Sequence, residues 1–277
     1  MSAEGTVRMG LFKAAKKAVP KSVKEALRKA LHLVPRRPFT PYLKKKTVEG
    51  VDFDFWIGDR DGRDWYDLHC TDPVWIELRF IRDHLVKAGD VILECGGHHG
   101  CTAIILSKWV GDGGRVVTFE PSPSNGDIIG RNIQQNKLTN VSLERKAVGA
   151  MTGTVRMNEA SNSSVLLSGP GTDVELIHLD QYEYLNPTLL KIDVEGFELK
   201  VLEGAKKILS THPKMAIEIH ADQLSYYGAS VESLFKLIEM ERYDVWIQWE
   251  DIQEPEKYDM KTPINKRVHL FFIPIAA

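Results

Sequence analysis

The sequence predicts an α/β fold with a mostly parallel sheet and helices on both faces. From residue 90 onward, apolar strand-like segments alternate with segments of helical periodicity, which is the pattern of a parallel sheet. One strand, in "VILECGGHHG" (91–100), runs directly into glycines, as buried strands do where the backbone meets a ligand. The length of 277 residues and the composition, 43% hydrophobic and 27% charged, are those of a globular protein of the size of an enzyme, and composition alone indicates no function.

The first 46 residues form a basic head. This section holds 13 of the 36 lysines and arginines but only two acidic residues, Glu4 and Glu25. A capping box at Ser22 and Glu25, followed by apolar residues at helical spacing up to Pro35, predicts an amphipathic helix. We expect the head to pack on the main domain or on a second copy in a homo-oligomer. Contact with an anionic membrane surface and a flexible arm are the alternatives.

Residues 47–87 are predicted to form a cap ahead of the core. Alternation in 48–59, followed by the turn-like "RDGRD" (60–64), predicts a β-hairpin. The periodicity of 72–86 predicts a helix. Its inward-facing residues are expected to be Trp75, Leu78, Ile81 and Leu85.

The remaining residues, 88–277, are predicted to form the core. Its seven strands are expected at 90–95, 115–120, 141–148, 188–193, 214–220, 243–249 and 268–274. The helices between them are expected at 102–110, 124–137, 197–209 and 230–241. A long polar connection, 250–266, precedes the last strand.

Cysteine usage and hydropathy indicate the cellular compartment of the protein. The chain has 3 cysteines and no CxxC pair, which argues against a disulfide framework and a zinc site and predicts a reducing compartment. No apolar stretch has the length of a membrane span, and the N-terminus lacks a cleavable signal pattern. We therefore expect a cytoplasmic protein, peripheral at a membrane if the head binds lipid. The acidic charge of the body argues against nucleic acid as a partner.

Two strand ends indicate an adenosine-containing cofactor. Such folds bind ligands beyond the carboxyl ends of the strands, where Gly96 and Gly100 follow the acidic Glu94 and let the backbone approach a ligand. Glu120, at the end of the second strand, is placed to accept hydrogen bonds from ribose hydroxyls. A nicotinamide fingerprint would need a glycine at Cys95. The spacing of an acid, Gly96 and Gly100 is instead the pattern of S-adenosylmethionine loops.

The segment "LLKIDVEGFELKVLEGA" (189–205) closely resembles the hallmark segment of the FkbM-type methyltransferases, and "VVTFEPSPSN" (116–125) resembles their second-strand segment. The likeness runs in order over about residues 88–222. It implies a Rossmann-like, seven-stranded class I methyltransferase fold with S-adenosylmethionine as methyl donor. It also implies transfer to oxygen, often a hydroxyl of a sugar, a glycan or a natural product. The chain departs from the family at Glu94, where Asp is common, and at His98, which replaces a small amide.

The cofactor residues implied by these patterns lie at the glycine loop and the strand ends. They are Glu94, Gly96, Gly97, His98, Gly100, Glu120, Pro121, Ala147 and Asp193. The adjacent side chains of His98 and His99 are expected to point apart, so that at most one of them faces the cofactor.

Methyl transfer to an alcohol requires a base at the mouth of the cofactor site. Asp193 and His220, on neighbouring strand ends, are the candidates for the base or for orienting the substrate, together with Glu195. Glu195 and Glu198 have a second interpretation, because carboxylates in the first turn of a helix complement its dipole. The residues expected to contact the acceptor are Glu218, His220, Ser163 and Tyr226.

A metal is not expected, although a divalent cation on Asp193, Glu218 and His220 is an alternative. The candidates for the wall of the acceptor pocket are the aromatic side chains of Trp65, Tyr66 and Trp75, the polar stretch "NEASNSSV" (158–165), and Tyr226 and Tyr227.

The sequence lacks the motifs of several other enzyme classes. No N/D-P-P-Y/F segment follows the fourth strand, no cysteine follows a proline, and neither a G-x-S-x-G elbow nor a phosphate-binding G-x-x-x-x-G-K-S/T loop is present. Two alternatives to a methyltransferase stay open. One is a catalytically inactive methyltransferase-like module that serves binding or scaffolding, and the other is a nicotinamide-dependent oxidoreductase.

Overall fold

The computed structural model describes residues 38–68, 75–158 and 160–275. The predicted head helix and Cys70 lie outside the described residues. From Pro41 onward, the described residues belong to one compact unit. The division into a head, a cap and a core, with boundaries after residues 46 and 87, stays a prediction.

Strands and short helices follow one another along the described chain. The strands are β1 (Tyr42–Val48), β2 (Val51–Ile57), β3 (Val91–Cys95), β4 (Arg115–Phe119), β5 (Val141–Glu144), β6 (Ala147–Val148), β7 (Gly153–Met157), β8 (Val165–Leu166), β9 (Thr172–Ile177), β10 (Leu189–Ile192), β11 (Lys214–His220), β12 (Tyr243–Gln248), β13 (Glu256–Lys257) and β14 (Arg267–Pro274). The α-helices are α1 (Arg60–Arg63), α2 (Ile76–Phe80), α3 (Cys101–Val110), α4 (Pro123–Gln135), α5 (Glu198–Glu203), α6 (Lys206–Leu209), α7 (Ala221–Leu224) and α8 (Val231–Phe235). Wider, π-helical turns continue α1 over Asp64–Leu68 and α2 over Ile81–Leu85, and 3₁₀ turns cover Leu179–Leu185, Ser225–Tyr227 and Met240–Arg242.

A central sheet has the strand order β5-β4-β3-β10-β11-β14-β12-β13. The strands from β5 to β11 are parallel neighbours, whereas β14 runs antiparallel to both β11 and β12. The strand order reverses between β3 and β10, because the chain first proceeds to one side of β3 and later returns to the other. The predicted Rossmann-like, seven-stranded and mostly parallel sheet is confirmed, and β13 adds a short eighth strand.

The central strands are buried because helices cover both faces of a parallel sheet. Every residue of β10 is buried, including Lys191. On one face, Leu93 of β3 and Ile192 of β10 belong to the same apolar cluster as Val201 and Leu202 of α5. This packing holds the carboxyl ends of β3 and β10 side by side.

The prediction of a single third strand over residues 141–148 is wrong, because these residues form two strands in different sheets. Residues 141–144 form β5 of the central sheet, but β6 pairs with β9 in a separate sheet of order β6-β9-β7-β8. The break falls at Arg145 and Lys146, whose charged side chains form ion pairs with Asp127 and with Glu144 and Glu175. The second sheet was not predicted, because β6 and β8 have only two residues each and β7 and β9 have five and six, which gives a weak alternation signal.

The predicted β-hairpin is displaced along the chain. It consists of β1 and β2, joined by Glu49 and Gly50, which both take positive φ values of 46° and 79°. Two such residues form the tight turn whose twist matches a hairpin. Residues 60–64 are not the turn: Asp59 accepts a hydrogen bond from Gly62 N at 2.7 Å and caps α1.

The predicted helix over 72–86 is present from Ile76 to Leu85 within the described residues. Leu78, Ile81 and Leu85 are buried as predicted, and Trp75 is half-buried. In the described parts of the chain, no helix has both the length and the apolar composition needed to cross a membrane.

Two asparagines attach the β1–β2 hairpin to α4. The Asn132 side chain accepts a hydrogen bond from Trp56 N at 2.6 Å and donates to His99 O at 2.9 Å. Asn136, directly after α4, accepts from Asp54 N and donates to Asp54 O. Asn132 is fully buried, so it links the hairpin to the glycine loop without access to water.

We expect Asn132→Ala to lower the free energy of unfolding by about 2–3 kcal/mol, because buried partners lose their hydrogen bonds. Urea denaturation followed by circular dichroism measures this change. Gln134→Ala, at an exposed position of the same helix, is the matched control and should change stability by less than about 0.5 kcal/mol. Equal effects of the two substitutions would show that the Asn132 contacts do not stabilise the hairpin.

Candidate active site

A cavity of about 510 Å³ lies beyond the carboxyl ends of β3, β4, β10 and β11. This position coincides with the reversal of strand order, where open α/β sheets bind their ligands. The volume is that of a small-molecule site. The predicted site residues that line the cavity are Gly96, His98, Glu120, Pro121, Ala147, Ser163, Asp193, Glu195, Glu218 and His220.

The floor of the cavity depends on Gly96. Its φ of +93° is a conformation that glycine adopts readily, and a Cβ atom there would lie 1.8 Å from the carbonyl oxygen of Asp193. The backbones of β3 and β10 therefore approach each other closely, and Asp193 N donates to Cys95 O at 2.9 Å. No other residue type fits at Gly96 without moving one of these strands.

Glu120 presents a buried carboxylate to the cavity. Its Oε2 accepts a hydrogen bond from His98 N at 2.8 Å, and its Oε1 accepts from Ser122 N at 2.9 Å and from Asn125 Nδ2 at 3.4 Å. A carboxylate has about four acceptor positions, so Oε2 retains capacity for one further donor. Burial raises the pKa of Glu120 to about 7. This carboxylate fits a ligand hydroxyl, as the sequence predicted for a ribose.

Three of the predicted cofactor residues, Glu94, Gly97 and Gly100, are not among the residues that line the cavity. The Glu94 side chain is fully buried inside the sheet, where its neighbours in register are Lys191 and Thr118. Burial raises the pKa of Glu94 to about 7, and the nearby Lys191 opposes that shift.

His98 and His99 do not point apart as predicted. Their rings stack at a centroid distance of 4.1 Å and an angle of 9°. His98 lines the cavity, whereas His99 is fully buried beside it. The expectation that at most one of them reaches the cavity agrees with this geometry.

His220 is the centre of a charged cluster at the other end of the cavity. Its Nδ1 lies 2.8 Å from Glu198 Oε1, and its Nε2 lies 3.5 Å from Glu195 Oε2 and 3.7 Å from Glu218 Oε1. Glu198 is fully buried and also accepts a hydrogen bond from Gly196 N at 3.0 Å. Glu198 therefore holds both the imidazole and the turn that carries Glu195, which goes beyond complementing a helix dipole.

The environment separates the proton affinities of Asp193 and His220. Burial and then the neighbouring Glu218 raise the pKa of Asp193 to about 6. Burial disfavours the charged imidazole, but the Glu198 carboxylate outweighs it and raises the pKa of His220 to about 9. At neutral pH, Asp193 is thus mainly a carboxylate and His220 an imidazolium.

A cation could bind to a different set of residues from the one predicted. The ligand atoms of Asp193, Glu195 and His220 lie within 4.8 Å of one another. Glu218 is not part of this set, because Arg267 Nη1 donates to Glu218 Oε1 at 2.5 Å. Glu195 takes its place, since the turn at Glu195 and Gly196 brings that carboxylate to His220.

The residues predicted to contact or surround the acceptor agree only in part with the lining of the cavity. Tyr226 does not line the cavity; it is half exposed and packs edge-on against Tyr227 at 5.0 Å. Trp65 and Tyr66 line the cavity as expected, but Trp75 does not. Ser161, Asn162 and Ser164 also line the cavity and belong to the polar stretch 158–165 that the sequence indicates as part of its wall. The polar lining residues that sequence reasoning missed are Lys146, Asp222, Gln223 and Arg267.

The sequence could have indicated some of these missed residues but not others. Asp222 and Gln223 directly follow β11 and could have been found from the rule that ligands bind at strand ends. Arg267 opens β14 and pairs with His220 across the sheet, and no local sequence signal marks that pairing.

Comparisons with known proteins give a family model and several similar proteins. Residues 94–245, more than half of the chain, match the family model of the methyltransferase FkbM domain. The hexuronic acid methyltransferase AglP of Haloferax volcanii is 29% identical over 140 residues, which are 48% of this chain and 56% of that protein. The chain thus spans about half the length of this relative.

Solved structures also match. The crystal structure of methyltransferase FkbM from Methylobacillus flagellatus is 21% identical, with a TM-score of 0.48, over 74% of this chain and 49% of the other. A SAM-dependent O-methyltransferase from Thermotoga maritima is 12% identical, with a TM-score of 0.45, over 84% of this chain and 78% of the other.

We expect Gly96→Ala to destabilise the protein by at least about 3 kcal/mol, because the new methyl group meets the Asp193 carbonyl and alanine disfavours positive φ. Gly113→Ala is the matched control, since a Cβ atom at Gly113 meets nothing within 4 Å. Urea unfolding of both variants measures the difference. A Gly96→Ala variant as stable as Gly113→Ala would contradict the close approach of β3 and β10.

Proposed function

Because the chain belongs to the family defined by the methyltransferase FkbM domain, we propose that it is an S-adenosylmethionine-dependent O-methyltransferase. Its acceptor in this proposal is a hydroxyl of a sugar, a glycan or a natural product. The observation that carries the proposal is one cavity lined by two chemically different groups of residues. Glu120 and the glycine loop form the first group, which we call the cofactor end, and the cluster of Asp193 and His220 forms the second, which we call the acceptor end.

The first end fits the cofactor. Gly96, Pro121 and Ala147 line it beside Glu120, whose Oε2 has room for a ribose hydroxyl. S-adenosylmethionine, when bound, supplies a methyl group on a positively charged sulfur. The carboxylates of Glu120 and Asp193 favour a positively charged ligand in this cavity.

The second end supplies acid–base chemistry for an alcohol acceptor. A hydroxyl oxygen attacks a methyl group more readily when a nearby base takes its proton. Asp193 is ionised at neutral pH and can accept that proton, whereas the His220 imidazolium can donate a hydrogen bond that orients the acceptor. We therefore assign the base to Asp193 and the orienting role to His220, held in place by Glu198.

The lining of the cavity supports a sugar-like acceptor. Trp65, 52% exposed, offers an aromatic face, and Ser163, Asp222 and Gln223 offer hydrogen-bonding groups. Aromatic faces with convergent polar groups suit the apolar faces and hydroxyls of sugar rings. The name of the Haloferax volcanii relative refers to a hexuronic acid, which also supports a glycan acceptor.

Calorimetric titration tests the donor. We expect S-adenosylmethionine to bind with a micromolar Kd, NAD not to bind, and Glu120→Ala to weaken binding by about tenfold or more, because a hydrogen bond to a charged group is lost. Glu241→Ala, at an exposed position, is the matched control and should bind as the wild type does. Binding of NAD alone would favour the oxidoreductase, and binding of neither would favour the scaffold module.

The pH dependence of methyl transfer tests the assigned base. We expect kcat to rise as pH increases through about 6, where Asp193 loses its proton, and to fall above about 9, where His220 loses its proton. Asp193→Asn should remove the rising limb and lower kcat by about 10²-fold or more. The assay uses neutral and acidic sugars as acceptors.

Each assay is repeated with a chelator. The His220 imidazolium already balances the surrounding carboxylates, so we expect turnover to continue without a divalent cation. Loss of turnover that added Mg²⁺ restores would instead assign Asp193, Glu195 and His220 to a metal site.

In the pH experiment, a value of kcat that does not change between pH 5 and 7 would contradict the assignment of Asp193 as the base.

A further inference from the structure

We infer that His98 is a positioning residue that fastens two walls of the cavity to each other. One wall is the segment that carries Tyr66, in the turn Asp64–Leu68, and the other is the loop that carries Ser161. We call Tyr66, His98 and Ser161 the clasp. The inference goes beyond the proposed function, because it concerns how the walls are coupled in the protein itself.

Both ring nitrogens of His98 are used by the clasp. Nδ1 is hydrogen-bonded to Tyr66 Oη at 2.6 Å, and Nε2 is hydrogen-bonded to Ser161 Oγ at 2.8 Å. All three residues line the cavity. The imidazole therefore spans the distance between two segments that lie about a hundred residues apart in the chain.

Each member of the clasp is anchored to a different part of the fold. The Tyr66 ring packs against Phe55 of β2 at 4.9 Å. The Ser161 carbonyl accepts a hydrogen bond from Asn125 of α4 at 2.8 Å. The main-chain N–H of His98 donates to Glu120, so the backbone that carries the imidazole is held by the carboxylate that faces the cofactor end. The clasp thus joins the hairpin, α4 and the glycine loop.

The two hydrogen bonds of the clasp depend on each other. Burial, and then the adjacent His99, lower the pKa of His98 to about 3, so the imidazole is neutral at ordinary pH. A neutral imidazole has one N–H and one acceptor nitrogen, so one hydroxyl donates to it and the other accepts from it. Removal of either hydroxyl leaves a buried ring nitrogen without its partner and releases the constraint on the opposite wall.

This coupling has a consequence for a ligand at the cofactor end. The clasp residues and Glu120 line the same part of the cavity, so a ligand held by Glu120 lies beside the joined walls. Separation of the walls breaks at least one of the two hydrogen bonds of His98. We therefore expect the clasp to slow the dissociation of a ligand bound there.

Hydrogen exchange without any ligand tests the coupling. The variants are His98→Asn, Tyr66→Phe and Ser161→Ala, with Tyr184→Phe, at an exposed tyrosine outside the cavity, as the matched control. Asparagine tolerates the positive φ of 48° at position 98 and keeps the main-chain N–H to Glu120, but it cannot reach both hydroxyls. Mass spectrometry reports exchange in segments 60–68 and 160–165.

We expect His98→Asn to speed exchange by about tenfold in both segments. Tyr66→Phe should speed exchange in 160–165, and Ser161→Ala should speed exchange in 60–68, although neither substitution lies in the segment that responds. Substitutions that affect only their own segment would overturn the clasp, and so would a His98→Asn variant that exchanges as the wild type does.

Dissociation of S-adenosylhomocysteine, followed by stopped-flow tryptophan fluorescence, tests the effect on ligand retention. We expect about tenfold faster dissociation from His98→Asn and an unchanged rate for Tyr184→Phe. Equal rates for the wild type and His98→Asn would overturn the role in retention. If the wild type binds no S-adenosylhomocysteine, the proposed function and the retention role both fail, while the exchange experiment still decides the coupling of the walls.

Discussion

The contact between the backbones of Gly96 and Asp193 is the constraint on which the site depends. A side chain at Gly96 would overlap the Asp193 carbonyl, so the ends of β3 and β10 converge only because that side chain is absent. Their convergence places Glu120, on one side of β3, and Asp193, on the other, around a single cavity. Methyl transfer requires donor and acceptor in close, fixed alignment, and this geometry supplies neighbouring places for both.

Buried charge is the second condition that the fold has to meet. Lys191 lies inside the sheet, 3.8 Å from Asp193 and 3.9 Å from Glu77 of α2. Burial opposes ionisation of Lys191, but Glu77, Asp193 and Glu94 outweigh it and raise the pKa of the ammonium group. Buried charges are tolerated when they are paired. The helix α2 therefore does more than cover apolar surface, because its Glu77 completes the charge balance beneath Asp193.

Glu198 connects the backbone to the chemistry at the acceptor end. The turn at Glu195 and Gly196 takes positive φ values of 52° and 97°, and strained turns of this kind persist when their surroundings hold them. Glu198 does so through Gly196 N and at the same time bonds His220. One buried carboxylate thus sets the position of Glu195 and of the imidazole together, as His98 and Glu120 do at the cofactor end.

The sequence by itself determined the position of the central strands, apart from the end of β5 and the short β13, and the residues at their carboxyl ends. Glu120, Asp193 and His220 were found because each follows a buried apolar run, and both burial and strand length are local properties of the chain. Tertiary structure decided which of these side chains reach the cavity. Glu94 precedes the glycines as predicted, yet its register beside Lys191 turns it into the interior.

Contacts between distant segments were likewise decided by the tertiary structure. Three features join parts of the chain that are far apart in sequence. His98 bonds Tyr66 and Ser161, Arg267 bonds Glu218 and so keeps it out of the possible cation site, and β6 pairs with later strands in the second sheet. Periodicity and spacing report which face of an element is buried, but they do not report which other element covers it. That choice depends on strand order and register, which are set only when the whole core packs.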